Sequence, residues 1–439
     1  MTAARGFSEG QTVAVLTTEP LGRALDYRAP EGGCGVGDFV EVPLGPRRVL
    51  GVVWGPGEGG YDPAKLRAVA RVLDVPPMRG EMRVFLARAA DYTLTPLPAM
   101  LRLATRSPGL FDPPAVRKVY RLAGPVPNRL TDARLRVVGA LRGWRGVPVT
   151  LGELTEAAGV GSGVVRGLVA AGVVAEEAAP RDTPFAPLAM RPGAVLEGDQ
   201  VAAGEALVAL VAQGGYATTL LKGVTGSGKT EVYLEAVGEV LRRGRQALVL
   251  LPEIALTAEF LARVEARFGA RPAEWHHGVT QTERRRVWRM AAEGGLSLVV
   301  GARSALFLPF RDLGLVVIDE EHDTSYKQEE GVLYHARDMA VLRASVVGCP
   351  VVLSSATPSL ESWANAEAGK YHRLDLTARF GAAGMPAMGA IDMRGEDLPA
   401  HRWIGTRLAA MVDARLEKGE QSLLFLNRRG YAPVTLCRA

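Results

Sequence analysis

In the stretch LLKGVTGSGKTEVYL, Gly223, Gly228, Lys229 and Thr230 stand at the spacing G-x-x-x-x-G-K-T. That spacing serves the holding of a phosphate chain. Glycines let backbone N–H groups approach phosphate oxygens with no Cβ in the way, the lysine reaches the outer phosphates, and the threonine hydroxyl can ligate Mg2+. Gly226 and Ser227 inside the loop and Glu231 just beyond it belong to the same expected ATP and Mg2+ site. A second stretch, LGLVVIDEEHD, runs six residues without a charge and then turns to an ionisable run that opens with Asp319, Glu320, Glu321 and His322. A solvated acidic turn gives no reason for so abrupt a boundary. A carboxylate at the end of a buried strand can hold hydrated Mg2+, and its neighbour can orient and deprotonate an attacking water. Asp319 is therefore assigned to the metal and Glu320 to the water, with Lys229 completing the catalytic set. A third stretch, SSATP from Ser354 to Pro358, follows another apolar run, and its hydroxyls can relay between nucleotide state and a second ligand. Together the three stretches specify an NTP-hydrolysing motor domain of the RecA-like type.

Such a grip works only if a strand feeds the loop and a helix opens at the lysine. From residue 217 the chain alternates strand-like runs, at 218–221, 247–251, 296–300, 313–318 and 350–354, with helix-length segments. Uninterrupted β-branched and leucine runs mark strands covered on both faces, as in a parallel sheet under helices. Gly/Pro-rich punctuation at 54–63, 123–129, 176–193 and 379–389 divides the chain. Before residue 110, DFVEVPL and RVLGVVW read as strands of a small β-rich domain. Three short helices are expected between 131 and 177. The first carries Leu135, Val138 and Leu141 at helical spacing, the second opens at Thr150 with Glu153 as a capping box, and the third follows Ser162 with Val164, Val165 and Leu168 on one face. With AGVVAEE as a hairpin strand, this is the make-up of a winged helix, which binds nucleic acid or packs on a neighbour. The expected fold class is α/β: a RecA-like P-loop lobe with a parallel sheet, preceded by a small β-rich domain and a winged helix. The expected domains are 1–110, 125–180, 195–378 and 388–439.

At 439 residues the chain is long for one core. Its net charge of +5 and pI near 9.2 allow a polyanionic partner without requiring one. Cys34, Cys349 and Cys437 are too scattered for a disulfide framework, no apolar run approaches a membrane span, and the first residues carry no secretory segment. The expectation is a cytoplasmic protein with no membrane contact.

The stretches GVTGSGKTEVYL, LPEIALT, GARSALF, VIDEEHDTSYKQEEG, YHARD, SSATPSLES and FLNRRGYAP together resemble the PriA family of replication restart proteins, superfamily-2 DNA helicases. The resemblance runs from about Gln200 to the end and continues weakly into the first hundred residues. It implies an N-terminal domain for the 3′ end of a nascent strand, a winged helix and two helicase lobes. It also implies that Gly228, Lys229 and Thr230 grip ATP and Mg2+, that Asp319 and Glu320 form the hydrolytic pair, and that His322, Ser355, Ala356 and Thr357 couple hydrolysis to DNA. Gln200 stands where the family tends to place an adenine-reading glutamine. HDTSYKQEEGVLYHARD resembles a loop that senses single-stranded DNA, with Tyr326, Lys327, Tyr334 and Arg337 as its candidates and Arg303 of GARSALF beside them; aromatic faces stack on bases and cations meet phosphates. Val332 and Leu333 stand where relatives often carry an aromatic or basic residue. In PLGRALDYRAP, Asp26 would accept hydrogen bonds from a terminal nucleotide, Tyr27 would pack beside it and Arg67 would take phosphate, with Leu25 replacing the usual Phe.

By the same resemblance Cys437 looks like the first ligand of a Cys-x-x-C zinc site. One thiol cannot hold structural Zn2+, which takes four ligands, so zinc is expected in the complete family member and not on this chain. SLLFLNRRGYAPVTLCRA reads as the first strand of an incomplete second lobe, and the chain as a fragment of a longer protein. The remainder of that lobe would bring the arginine that stabilises transferring phosphate, worth about 10³–10⁵ in rate, so this chain is expected to bind ATP better than it turns it over and not to unwind alone. The expected function is binding to forked DNA, single strands and 3′ ends. In the complete protein it adds ATP-dependent 3′→5′ unwinding and primosome assembly, with primosome proteins and single-stranded DNA-binding protein as partners. The alternative is a non-catalytic DNA-binding scaffold for primosome loading, against which the intact GKT and DEEH stretches speak.

Overall fold

The uncharged runs in the second half of the chain lie side by side in one sheet. The computed structural model describes residues 6–425 apart from 60–61, 63–64, 107–108, 114–115, 128, 145–147, 181, 183, 380–386, 393 and 395–403. The chain divides into two units, Met1–Phe380 and Gly381–Ala439.

The first unit begins with an antiparallel sheet of β1 (Thr12–Thr17), β2 (Leu25–Arg28), β3 (Phe39–Leu44), β4 (Arg47–Pro56) and β5 (Arg71–Val72), in the order β2-β1-β4-β3-β5. Two helices follow that the sequence reading did not separate from this β-rich region, α1 (Gly80–Thr93) and α2 (Leu97–Thr105). In α1, Met82, Phe85, Leu86, Ala89 and Ala90 are buried at helical spacing, which gives one apolar face. That face and Met100 and Leu101 of α2 share a core with residues of the later lobe. At this seam Trp288 meets Phe39 and Phe111 edge-on, at 5.6 and 5.2 Å between ring centroids, and its indole N–H donates to the Ala104 carbonyl at 3.2 Å.

The next block is β6 (Val116–Leu122), α3 (Asp132–Gly143), β7 (Val149–Thr150), α4 (Leu151–Ala158), α5 (Ser162–Ala170) and β8 (Val174–Pro180), with strands in the order β7-β6-β8. Three helices on a small sheet is the winged-helix arrangement, with its own core. The Thr150–Glu153 capping box is present. Val137 takes the core position beside Val138 and Leu141, whereas Leu135 is half exposed to water. β8 runs on to Pro180 because it pairs along β6, so the connecting segment begins later than the sequence suggested.

The lobe itself comprises α6 (Asp199–Gln213), β9 (Ala217–Gly223), α7 (Lys229–Arg242), β10 (Gln246–Leu250), α8 (Ala258–Phe268), β11 (Ala273–Trp275), α9 (Gln281–Glu293), β12 (Leu298–Gly301) and β13 (Leu313–Ile318). The hairpin strands β14 (Lys327–Gln328) and β15 (Tyr334–His335) come next, then α10 (Ala336–Val347), β16 (Pro350–Ser355), α11 (Leu360–Glu367) and β17 (His372–Leu376). Its sheet order is β11-β12-β10-β13-β16-β9-β17, and every pair in it is parallel. Alternate residues serve two cores. Leu248, Leu250, Val316 and Ile318 face one, while Ala247, Val249, Leu315 and Val317 face the other, as the period of two in a strand requires. The five interior strands match the expected runs. The order sets the carboxyl ends of β9, β16 and β13 next to one another, and these ends carry GKT, SSATP and DEEH.

In the second unit the described residues include α12 (Thr406–Glu417). Residues 422–425, expected within a strand, have no regular structure, and the rest of that expected stretch and Cys437 lie outside the described residues.

Candidate functional site

The loop after β9 turns sharply into α7, whose first residue is Lys229. Gly228 caps the helix at φ +79°, and a Cβ there would also lie 2.6 Å from the Gln200 amide nitrogen. A Cβ on Gly223 would strike the Ser227 hydroxyl at 2.3 Å. Both positions therefore exclude larger residues. Lys229 is buried and its Nζ donates to the Gly223 carbonyl at 3.0 Å. Among the described residues the buried Ser227 hydroxyl has no hydrogen-bond partner. Gln200 bridges α6 to the loop, donating to the Ser227 carbonyl at 2.8 Å and accepting from the Glu197 amide at 3.0 Å. Much of its amide is thus engaged by the protein, although it borders the same cavity. That cavity, about 470 Å3, is lined by Gly226, Lys229, Thr230, Glu231, Asp319 and Glu320 among others. Arg263 of α8 also lines it, 3.8 Å from Glu231; no local pattern in the sequence marks this residue.

Asp319 is locked from three directions. Its carboxylate accepts from the Tyr233 hydroxyl at 2.9 Å, from the Ser354 hydroxyl at 2.8 Å and from the Glu320 amide at 3.1 Å. Tyr233 was not singled out by sequence, although it stands four residues after Lys229 and hence on the same face of α7. Burial, and next the Asp319 carboxylate, push its phenol well above the usual range, so it remains a donor. Glu320 sits at φ +47°, left-handed for a residue with a Cβ, a conformation that costs about 1–3 kcal/mol and clusters at working sites. Burial, then the neighbouring Asp319, raise its carboxyl above the ordinary 4.5.

The acidic run is tied to SSATP by His322, whose Nδ1 lies 2.7 Å from the Ser355 hydroxyl. That hydroxyl also accepts from the Thr357 amide at 3.0 Å, across Ala356. Glu321, given no role by sequence, is fully buried. Its carboxylate accepts from the Ser359 amide at 2.7 Å, from the Ser359 and Ser362 hydroxyls at 2.9 Å each, and from Arg337 at 3.4 Å.

The residues expected to meet DNA divide. Tyr326 is 1% exposed, and its hydroxyl is shared between the carbonyls of Asp319 at 2.7 Å and Leu250 at 3.0 Å. It has no face to offer a base. Tyr334 is likewise in the core, edge-on to Phe307 at 5.3 Å, and Arg337 is buried against Glu321 and Asp338. These three anchor the hairpin ends and do not form its outer surface. Lys327 is exposed, 3.2 Å from Glu329. Arg303 donates to the carbonyls of Ser325 at 2.9 Å and Lys327 at 2.8 Å. In the N-terminal sheet the Asp26 carboxylate already accepts from the amides of Glu58 at 3.1 Å and Gly59 at 3.0 Å. The Tyr27 ring is in the core with its hydroxyl on the Pro43 carbonyl at 3.1 Å, where burial raises its phenol, so it does not lie open beside Asp26. Arg67 is exposed and donates to the Gly45 carbonyl at 2.8 Å. Among the described residues no cluster of three or more His, Cys, Asp or Glu is placed to hold a metal ion, and no helix is long and apolar enough to cross a membrane.

Two family models match separate segments: a 3′ DNA-binding domain over residues 13–106 and the DEAD/DEAH box helicases over residues 201–365. The chain is 47% identical over 221 residues to the replication restart protein PriA of Rickettsia felis, covering 50% of this chain and 34% of that one. It is 47% identical over 220 residues to the protein of the same name from Bacillus subtilis, covering 50% and 27%. The chain thus spans about a third of the length of these curated relatives. Among solved structures, RecG bound to a three-way DNA junction aligns with 52% of this chain and 29% of its own, at 20% identity and a TM-score of 0.35.

Proposed function

We propose that this chain binds ATP with Mg2+ in the cavity between Lys229 and Asp319, hydrolyses it as part of a replication restart helicase, and couples the nucleotide to DNA at forks, single strands and 3′ ends. The observation that carries this reading is positional. The lysine loop and the acidic strand end, on β9 and β13, open into one cavity, and the Asp319 carbonyl is bonded to Tyr326, the residue just before the hairpin strand β14. The residues present fit the ligand: a buried Ser227 hydroxyl without a partner among the described residues, glycines where a Cβ would clash, and a lysine at the mouth of a helix N-terminus. Thr230 and Asp319 would hold Mg2+, Lys229 the outer phosphates, and Glu320 would take the proton of the attacking water. Bound magnesium neutralises charge that develops on the transferring phosphoryl group.

Residues 1–110 and the winged helix of 125–180 are the DNA-binding modules of this reading, 195–378 the first helicase lobe and 388–439 the start of a second. The complete protein would move 3′→5′ and load primosome proteins alongside single-stranded DNA-binding protein in the cytoplasm. The test is linkage, which does not depend on fast turnover. A fluorescent ATP analogue should bind in the presence of Mg2+, Lys229→Ala should abolish that binding, and a single-stranded oligonucleotide should change the affinity, since coupling between two ligands is reciprocal. Binding that survives Lys229→Ala, or that is indifferent to DNA, would sink the reading.

A further inference from the structure

A second cleft, of about 800 Å3, opens between α2 and the loop that joins β14 to β15. Its walls carry three guanidinium groups: Arg102 and Arg106, one turn apart at the end of α2, and Arg303 from the turn after β12. Among the described residues none of the three has a carboxylate within ion-pair distance; Arg303 is engaged by two carbonyls only. Among the described residues Glu330 is the one acid on these walls. Each wall also holds an aliphatic side chain out in water. Leu94 is 92% exposed on a left-handed backbone at φ +52°, and Leu333 is 59% exposed. Unpaired forked cations beside exposed apolar surface suit a ligand with phosphates on one side and flat uncharged groups on the other.

We propose that this cleft is a subsite for single-stranded polynucleotide, in which Arg102 and Arg106 grip phosphates and Leu94 and Leu333 receive bases. The inference rests on the DNA reading above and adds residues and a path to it. An acidic peptide would also meet the arginines, but the connection to the nucleotide favours a strand. Arg303 holds the carbonyls of Ser325 and Lys327, the residues on either side of Tyr326, and the Tyr326 hydroxyl touches the Asp319 carbonyl. A ligand against Arg303 is therefore one residue away from the acidic strand end, as a ligand that governs hydrolysis must be and a passive tether need not be.

The test measures anisotropy of a labelled oligothymidylate whose 3′ end is phosphorylated, so that a site for free 3′ ends does not contribute, over a range of salt. Removing both side chains, Arg102→Ala with Arg106→Ala, should weaken binding at least about tenfold at low salt and flatten the log–log salt slope by about 1.4, near 0.7 for each phosphate contact on a single strand. Binding of the ATP analogue should be unchanged, because neither arginine borders the nucleotide cavity. An unaltered affinity and slope overturn the inference while leaving the proposed function intact. So does a double variant that loses oligo-aspartate binding but keeps the DNA, which would assign the cleft to an acidic peptide. If the unaltered protein binds no single strand at all, the DNA reading itself falls, and the cleft proposal with it.

Discussion

Replacing Glu321 by glutamine tests whether the acidic strand end is held by the network seen around it. The substitution keeps shape and removes one acceptor. In the native arrangement one carboxylate oxygen accepts from the Ser359 amide, and the other from two hydroxyls and the Arg337 guanidinium. Whichever way the new amide faces, its NH2 group meets a donor that cannot turn round: the Ser359 N–H on one side, Arg337 on the other. The hydroxyls can rotate and accept, so their loss is small. Removing one partner of a buried ion pair costs about 3–5 kcal/mol. Here Arg337 keeps Asp338 at 3.0 Å, which lowers the expectation to roughly 2–3 kcal/mol, in line with lost hydrogen bonds to charged groups. Thermal unfolding followed by circular dichroism should show a melting temperature lower by several degrees, about 2–4 °C for each kcal/mol in a domain of 150–250 residues and less in a larger one. A double-mutant cycle with Arg337→Met should give a coupling of about 1–3 kcal/mol. A Glu321→Gln protein that melts with the native one, or a coupling near zero, would refute the claim that this carboxylate ties β13 to α10 and α11.

Gly228→Ala should abolish binding of the ATP analogue, since its φ of +79° and the 2.6 Å approach of Gln200 both oppose a Cβ; binding within twofold of native would mean the loop does not need this shape. In an NMR titration of the metal-free protein, the Glu320 carboxyl should take up its proton above the ordinary 4.5 of a glutamate, because burial and the Asp319 carboxylate both oppose its charge. A midpoint at or below 4.5 would refute that environment, and added Mg2+ should lower the midpoint, since a cation on Asp319 favours the charged form. Trp288→Ala should cost about 3–5 kcal/mol, as buried aromatic deletions do. That loss, read by chemical denaturation, should fall on the seam between the N-terminal helices and the lobe.

The interior of the large sheet was legible because each of its strands is covered on both faces and reads as an unbroken apolar run. Its edges were not. β11 and β17, with sequences AEW and HRLDL, are short or charge-bearing edge strands that show no apolar run. The α1 helix lacked a starting signal, since its N-cap is Arg79 with no side-chain cap, and the N-cap of α2, Pro96, likewise offers no side-chain cap. The glycine–lysine loop and the acidic strand end fall where the sequence suggested, after β9 and after β13, because each pattern is local to one short segment. What holds them is not local. Tyr233 and Ser354 reach Asp319 from other elements, and Asp26 is engaged by amides more than thirty residues further on. Apart from the four-residue step from Lys229 to Tyr233, no spacing in the sequence announces such partners.

The hairpin shows most clearly where residue type misleads. Tyrosine, lysine and arginine in one polar stretch suggest a surface for bases and phosphates, yet Tyr326, Tyr334 and Arg337 are buried, which leaves Lys327 as the exposed one of those four candidates, beside the exposed crown of the hairpin. This changes how a signal from DNA can reach the nucleotide. Base stacking on Tyr326 is closed off in this arrangement, so the coupling proposed above would run through backbone: Arg303 on the carbonyls either side of Tyr326, the Tyr326 hydroxyl on the carbonyl of Asp319, and the Asp319 carboxylate on the cavity it shares with Lys229. A Phe at position 326 would keep the packing and break only the hydroxyl link. The proposed coupling then requires nucleotide and single-strand affinities that are each close to native but independent of one another. Retention of full coupling in Tyr326→Phe would show that the signal takes the other route, from Arg337 through Glu321.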